Sequence, residues 1–285
     1  MNLHYLTNQA LNDFIELALA EDIGDGDHSS LAVLNHDLEQ SAQLIIKGEG
    51  ILAGVELAER ILLFKNPKVE LIRNSGDGDP VKNGDIAFTL SGNARKILSH
   101  ERLVLNCMQR MSGIATYTSM LQSLISHTKA KVTDTRKTTP NFRLMEKWAV
   151  AIGGGVNHRM GLYDKILLKD NHIDYCGSMA NALNKVKDYL EKTGKDLFVE
   201  VEARNLDEVT QALKFEIVST IMLDNMPPSE IIRAVKITDG KVKTEASGNI
   251  TESTIKEVAE CGVDYISVGA LTHSYKSLDM SLKAF

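Results

Sequence analysis

The run from Leu197 to Val235, LFVEVEARNLDEVTQALKFEIVSTIMLDNMPPSEIIRAV, decides the fold. It holds one unit twice: a short apolar, β-rich run ending on a carboxylate, first Glu202 and then Asp224, and after each a stretch of helical spacing. The unit recurs on both sides. KVTDTR, KILLKDN, VKTEASGN and YISVGAL read as strands, while SMANALNKVKDYLEKTG and TESTIKEVAEC read as helices. Such alternation predicts a parallel sheet closed, or nearly closed, into a barrel, with an open doubly wound sheet as the alternative. The barrel is preferred because nearly every run ends in a chemically competent group: Arg136, Lys169, Glu202, Asp224, Ser247 and Gly269. In a barrel the C-terminal strand ends share one face, so these residues would converge.

Upstream the texture differs. To about Gly92 an amphipathic helix (Leu11, Ile15, Leu17, Ala18) precedes strand-like AQLIIKGEG, VELIR and DIAFTL, broken by Gly and Asp turns, which reads as an α+β unit. From Ser99, read as an N-cap, apolar residues recur through Ile125 near helical period, predicting a long helix that joins the two parts.

The 285 residues suffice for a sizeable core, and 43% apolar with 25% charged residues is ordinary globular composition. The 5% aromatic share argues against a stacking-based nucleic-acid binder. A net charge of −6 would repel nucleic acid and anionic membranes, so any anion site must be a local concentration of cations. Cys107, Cys176 and Cys261 form no CxxC and suit a reducing cytosol. With no basic start before an apolar core and no membrane-length run, a cytoplasmic protein is expected.

The local concentration lies between Thr133 and His172, where Arg136, Lys137, His158, Arg159, Lys169 and His172 gather in TRK, NHR and LKDNH. A single strand-end cation is as often merely solvated. Together they read as a pocket for a multiply charged anion, Arg as a planar fork and Lys as a point charge. Zinc at His158 and His172 is not expected, since no carboxylate or Cys stands at zinc spacing and the neighbouring cations oppose a divalent ion. Alternation along VEVEA puts Glu200 and Glu202 on one face. Glu202 and Asp224, each ending an apolar run, either pair with Lys169 or Lys137, or hold sugar hydroxyls, a magnesium ion or a developing cation. ASGN and SVGA close the last two strands, where glycines let backbone N–H groups approach a phosphate, although ordinary loop glycines fit as well. GGG at Gly153–Gly155 lacks the last glycine of a dinucleotide motif. DIGDGDHSS lacks the Gly and Glu of a calcium loop, and GDGDPVKNGD reads as a structural turn.

These segments resemble the quinolinate phosphoribosyltransferase family through nearly the whole chain: ALAEDIGDGD, ERLVLNCMQRMSGIAT, DTRKTTP, EKWAVAIGGGVNHRMGLYDKILLKDNH, VEVEA, LDNM, ASGNI and SVGALTHS. The resemblance implies an α/β fold: an N-terminal α+β sandwich domain over 1–112 that also packs the tail 275–285, and an incomplete TIM-like barrel over 113–274. It implies conversion of quinolinate and phosphoribosyl pyrophosphate to nicotinate mononucleotide, pyrophosphate and carbon dioxide in NAD biosynthesis, with Mg2+, by a cytoplasmic homodimer whose higher assembly stays open. Arg136, Lys137, His158, Arg159 and Lys169 would line the quinolinate and pyrophosphate region, and Arg102 would come from the partner subunit. Glu202 and Asp224 would face the ribose and its metal, Ser247, Gly248 and Gly269 the 5′-phosphate, with His273 added. Lys137, Lys169, Glu202 and Asp224 would be the catalytic groups. Asn141 and Asn249 stand where the family often has glycine, which predicts turns that Asn tolerates. A molybdenum-transport-associated relative of the same fold, with another acceptor, is the alternative.

Overall fold

The computed structural model describes residues 3–65 and 68–285. The chain forms two compact units, one made of Met1–Ser119, Thr138–Gly154 and Leu271–Phe285, the other of Met120–Lys137 and Gly155–Ala270.

The first unit begins with α1 (Asn8–Ile23), whose N-terminus is capped by the Thr7 side chain, and α2 (His28–Val33). There follow β1 (Glu39–Ile46), β2 (Gly50–Ile51), α3 (Val55–Leu63), β3 (Glu70–Arg73), β4 (Pro80–Val81), β5 (Ile86–Asn93) and the 31-residue α4 (Ala94–Leu124). An antiparallel sheet in the order β12-β1-β5-β3 is completed by the last strand of the chain, β12 (Met280–Ala284), which pairs with β1. Alternation decides the buried face of β1: Ala42, Leu44 and Ile46 point into the core and their neighbours do not. The tail reaches this edge past α4 at Gly113, where a Cβ would lie 2.3 Å from the carbonyl oxygen of Lys276.

Three readings change. Helix α4 starts at Ala94, not Ser99, because the Asn93 side chain accepts the Lys96 N–H (3.3 Å) and supplies the cap, while Ser99 lies inside the helix. Leu17, counted with the apolar residues of the first helix, is 73% exposed, whereas Leu11 and Ile15 are buried. No single cut near residue 112 separates the units. Helix α4 runs through that point, and α5 (Arg143–Ile152) belongs to the first unit, where buried Glu146 accepts from Arg110 Nε of α4 at 2.8 Å. The rejected motifs have structural work. Asp27 caps α2, Asp77 accepts the N–H groups of Val55 and Glu56 at the start of α3, and Gly153 ends α5.

The second unit is a six-stranded parallel sheet in the order β6-β11-β10-β9-β8-β7. Its elements are β6 (Lys131–Thr133), β7 (Ile166–Leu168), α6 (Asp170–Cys176), α7 (Met179–Thr193), β8 (Val199–Ala203), α8 (Leu206–Ala212), β9 (Val218–Asp224), α9 (Pro228–Thr238), β10 (Lys243–Ser247), α10 (Ile255–Glu260) and β11 (Tyr265–Ser267), with α11 (Ala270–His273) after it. From β7 to β11 each strand pairs with the next in sequence, and β11 turns back to pair with β6. That is the order of an α/β barrel. It is incomplete, because β6 and β7 are not neighbours and an isolated parallel bridge from Thr133 to Val156 stands at the β6 edge. All five residues of β8 are buried, as expected of a parallel strand covered on both faces: Val199, Val201 and Ala203 on one, Glu200 and Glu202 on the other.

Candidate active site

The C-terminal strand ends carry the groups that the sequence singles out. Asp134, fully buried just past β6, accepts the backbone N–H of His158 (2.9 Å) and the Asn157 side-chain amide (2.6 Å). Two bonds to one carboxylate therefore fix the loop bearing His158 and Arg159 beside the end of β6. Arg136 and Lys137 follow Asp134 on an exposed turn in which the Lys137 N–H bonds to Thr135 Oγ1 (3.0 Å). Arg159 donates to the Lys165 carbonyl (3.2 Å). Burial and the nearby Arg136 charge lower its basicity, against the pull of Glu200 and Asp164. Two guanidiniums close enough to repel mark a place where an anion is favoured.

Beside them stand the carboxylates of β8 and β9. Lys169, the residue before α6, bonds Glu202 at 3.1 Å, so the expected pairing is present. The Glu202 carboxyl is nevertheless held above its ordinary range by burial, against the bond and charge of Lys169, with the charges of Asp224 and Asp170 adding to the rise. Two acids on neighbouring strands whose charges act on one another are a hard-oxygen donor set that a divalent cation would relieve, so Glu202 and Asp224 fit magnesium.

At the next two strand ends the backbone is shaped by close approach. Ser247 ends β10 and its carbonyl accepts the Asn225 N–H at 2.8 Å. Gly248 has φ +99°, and a Cβ there would come within 2.2 Å of Asn225 Oδ1. Only glycine serves in that turn. Asn249 follows at φ 51° and donates to Asn225 (3.2 Å). Gly269 lies just beyond β11.

The second unit thus brings together Arg136, Lys137, His158, Arg159, Lys169, Glu202, Asp224, Ser247, Gly248 and Gly269 on its strand ends and the loops after them. Arg102 and His273 belong to the first unit. Arg102 is exposed on α4 with no side-chain hydrogen bond or ion pair among the described residues, and His273 bonds its neighbour Ser274 (2.7 Å). His172 stands at the start of α6. Its Nδ1 accepts the Lys169 backbone N–H (3.0 Å). Three participants were not singled out from sequence: Asp134, Lys165 and Glu245. His158 Nε2 and Lys165 Nζ each lie 2.8 Å from the same Glu200 oxygen, and Glu245 stands behind them, 3.7 Å from His158. Period-two alternation in TEAS puts Glu245 on the face of Ser247, a signal that was available.

An incomplete α/β barrel with cations, paired acids and a glycine turn on its strand ends, together with an antiparallel α+β unit, defines a class of phosphate-handling barrel transferases. Residues 27–112 match the N-terminal domain of quinolinate phosphoribosyl transferase and residues 114–283 its C-terminal domain. A nicotinate-nucleotide pyrophosphorylase [carboxylating] of Arabidopsis thaliana is 46% identical over 290 residues, covering 96% of this chain and 82% of that one. A probable enzyme of the same name from Bacillus subtilis is 41% identical, covering 98% and 93%. The crystal structure of NadC from Streptococcus pyogenes superposes with a TM-score of 0.91 at 38% identity, covering 98% of this chain and 99% of that one. The chain belongs to the quinolinate phosphoribosyltransferase family.

Proposed function

We propose that the chain transfers the phosphoribosyl group of phosphoribosyl pyrophosphate to the ring nitrogen of quinolinate, giving nicotinate mononucleotide, pyrophosphate and carbon dioxide. The observation that carries this reading is the juxtaposition, at the strand ends of one sheet, of Arg136 and Arg159 with the Glu202–Lys169 pair. Quinolinate is a dianion and the donor carries more charge still, so both need such a basin in a protein of net charge −6.

In this reading Arg136, Lys137, His158, Arg159 and Lys169 bind and orient the two carboxylates and the pyrophosphate. The C1–O bond of the donor breaks with its electron pair passing to pyrophosphate, while Glu202 and Asp224 face the positive charge left on the ribose. The ring nitrogen bonds to C1. The neighbouring carboxylate then leaves as carbon dioxide, its bonding pair remains on the ring carbon beside the pyridinium nitrogen, and that carbon takes up a proton. Magnesium held by Glu202 and Asp224 would supply charge neutralisation for the leaving group. Ser247, Gly248 and Gly269 receive the 5′-phosphate. Lys137, Lys169, Glu202 and Asp224 are the catalytic groups, and His273 is assigned to substrate binding on the resemblance alone. Arg102 completes the site of a second copy in a homodimer, which its exposure and lack of side-chain partners among the described residues support. The cytoplasm is the proposed location, which three unpaired cysteines suit. No helix among the described residues is long and apolar enough to cross a membrane.

Steady-state turnover of two acceptors tests the reading. Quinolinate should react and nicotinate should react at least a hundredfold more slowly in kcat/KM, because the second carboxylate is both a binding handle and the group that leaves. Comparable turnover of nicotinate would overturn it.

A further inference from the structure

Against His158 lies a buried pair of acids for which the proposed chemistry has no use. Glu200 of β8 and Glu245 of β10 are 0% and 2% exposed, and one oxygen of each, Oε1, has no hydrogen-bond partner among the described residues. His158 Nε2 and one oxygen from each acid lie within 4.8 Å of one another. Three such atoms suggest a metal site, but Lys165 Nζ already sits 2.8 Å from the Glu200 oxygen that His158 bonds. A divalent ion would have to displace that ammonium. His158 and Lys165 thus both bond Glu200, whereas Glu245 has, among the described residues, the Ser267 hydroxyl and the more distant His158 contact at 3.7 Å.

We propose that Glu245 is a positioning residue which stays a neutral carboxylic acid in the working enzyme, filling the space behind Glu200 and His158 so that they hold their places without a further negative charge beneath the anion pocket. The inference rests on the dianion-pocket reading of the site. A fully buried carboxylate facing a second one ionises only at a large cost unless a cation is dedicated to it. The groups facing Glu245 are Glu200 from β8, His158 and Asp134 from the β6 edge, Lys165 from the start of β7 and Ser267 from β11, with Tyr265 beside it in register. Their balance agrees with the geometry: burial and then the Glu200 charge push the Glu245 carboxyl well above its ordinary range, Asp134 adds to this, and Ser267 and Lys165 only partly oppose it. Glu200 carries the bonds to His158 and Lys165, and a neutral Glu245 leaves the field of Arg159 and Arg136 uncancelled.

A raised carboxyl favours the folded state below its unfolded pKa and loses that contribution as pH rises through the folded value. The neutral isostere Glu245→Gln should therefore gain in melting temperature over wild type progressively from pH 5 to pH 8. Glu245→Ala should raise KM for quinolinate at least tenfold, with KM for phosphoribosyl pyrophosphate changed less than threefold, and Glu245→Gln should rescue most of that loss. In wild type labelled with ¹³C at glutamate Cδ, a carboxyl resonance should keep the neutral-acid shift at pH 7 and vanish in Glu245→Gln. A constant stability deficit of Glu245→Gln across pH, failure of Gln to rescue quinolinate KM, or a stoichiometric metal in dialysed wild type that Glu245→Gln loses would each overturn the proposal. If Glu245→Gln does not fold, Glu202→Gln decides, since it removes the other glutamate held above its ordinary range: a neutral-acid resonance that remains at pH 7 supports the proposal and its absence defeats it. Melting and labelling need no substrate, so a wild type inactive on quinolinate would sink the functional reading and leave the protonation result to stand or fall separately.

Discussion

Lys137 and Arg159 stand on loops, Lys137 exposed on its turn and Arg159 partly buried with a backbone carbonyl as partner. Neither fills the apolar core, so truncation should act on substrate and not on folding. Lys137→Ala and Arg159→Ala should each weaken quinolinate or donor binding by on the order of 2–5 kcal/mol, the cost of leaving a desolvated charge unpaired. Melting temperatures should move by no more than about 2 °C. Near-normal kinetics of either variant at low substrate, with the fold intact, would remove that residue from the pocket. Residue-scale reading succeeded where one side chain has one geometric meaning. Asn141 and Asn249, read as turn residues standing in for glycine, adopt φ 62° and φ 51°. It missed Asp134, Lys165 and Glu245, whose uses depend on which strand ends the fold brings together and not on any local motif.

The strands are held in register by polar groups as well as by apolar faces. Asp264, just before β11, accepts the N–H of Thr244 on β10 (3.0 Å) and the ammonium groups of Lys129 and Lys243 (3.1 Å each). Burial pushes its carboxyl up, but the Thr244 N–H and the two lysines pull it further down, leaving it below the ordinary range. A lowered acid contributes stability above its unfolded pKa and loses it as pH falls through the folded value. Asp264→Asn should therefore cost on the order of 1–3 kcal/mol at pH 7, with the gap from wild type closing below about pH 4 in denaturant titrations. A gap that widened in acid would contradict the assignment. At this scale most of the architecture was legible, because each β-rich run of the barrel and the helix after it differ in hydrophobic period. The cap of α4 was misplaced by six residues, Ser99 for Asn93, since both are acceptable caps and only the backbone shows which is used.

For the whole molecule, sequence order could not reveal that Thr138–Gly154 clusters with the first unit, because that depends on contacts such as Arg110 with Glu146, 36 residues apart. Nor could alternation, which tells the face of Glu200 and Glu245, show that they face one another across β9. The proposed dimer has its own test. If Arg102 serves the partner's site, Arg102→Ala and Lys137→Ala, each nearly inactive, should complement one another when dissociated and reassociated in equal amounts. About half of the dimers would be mixed, each with one intact site, so roughly a quarter of all sites should recover. Recovery near zero, with mixed dimers shown to form, would place Arg102 in its own subunit's function. The central claim is that glycosyl transfer and loss of carbon dioxide belong to one reaction at this barrel, and the most direct measurement is carbon dioxide release from carboxyl-labelled quinolinate with and without phosphoribosyl pyrophosphate. Release equal to the pyrophosphate formed, and none without the donor, is the predicted result; release without the donor, or pyrophosphate without carbon dioxide, would contradict it.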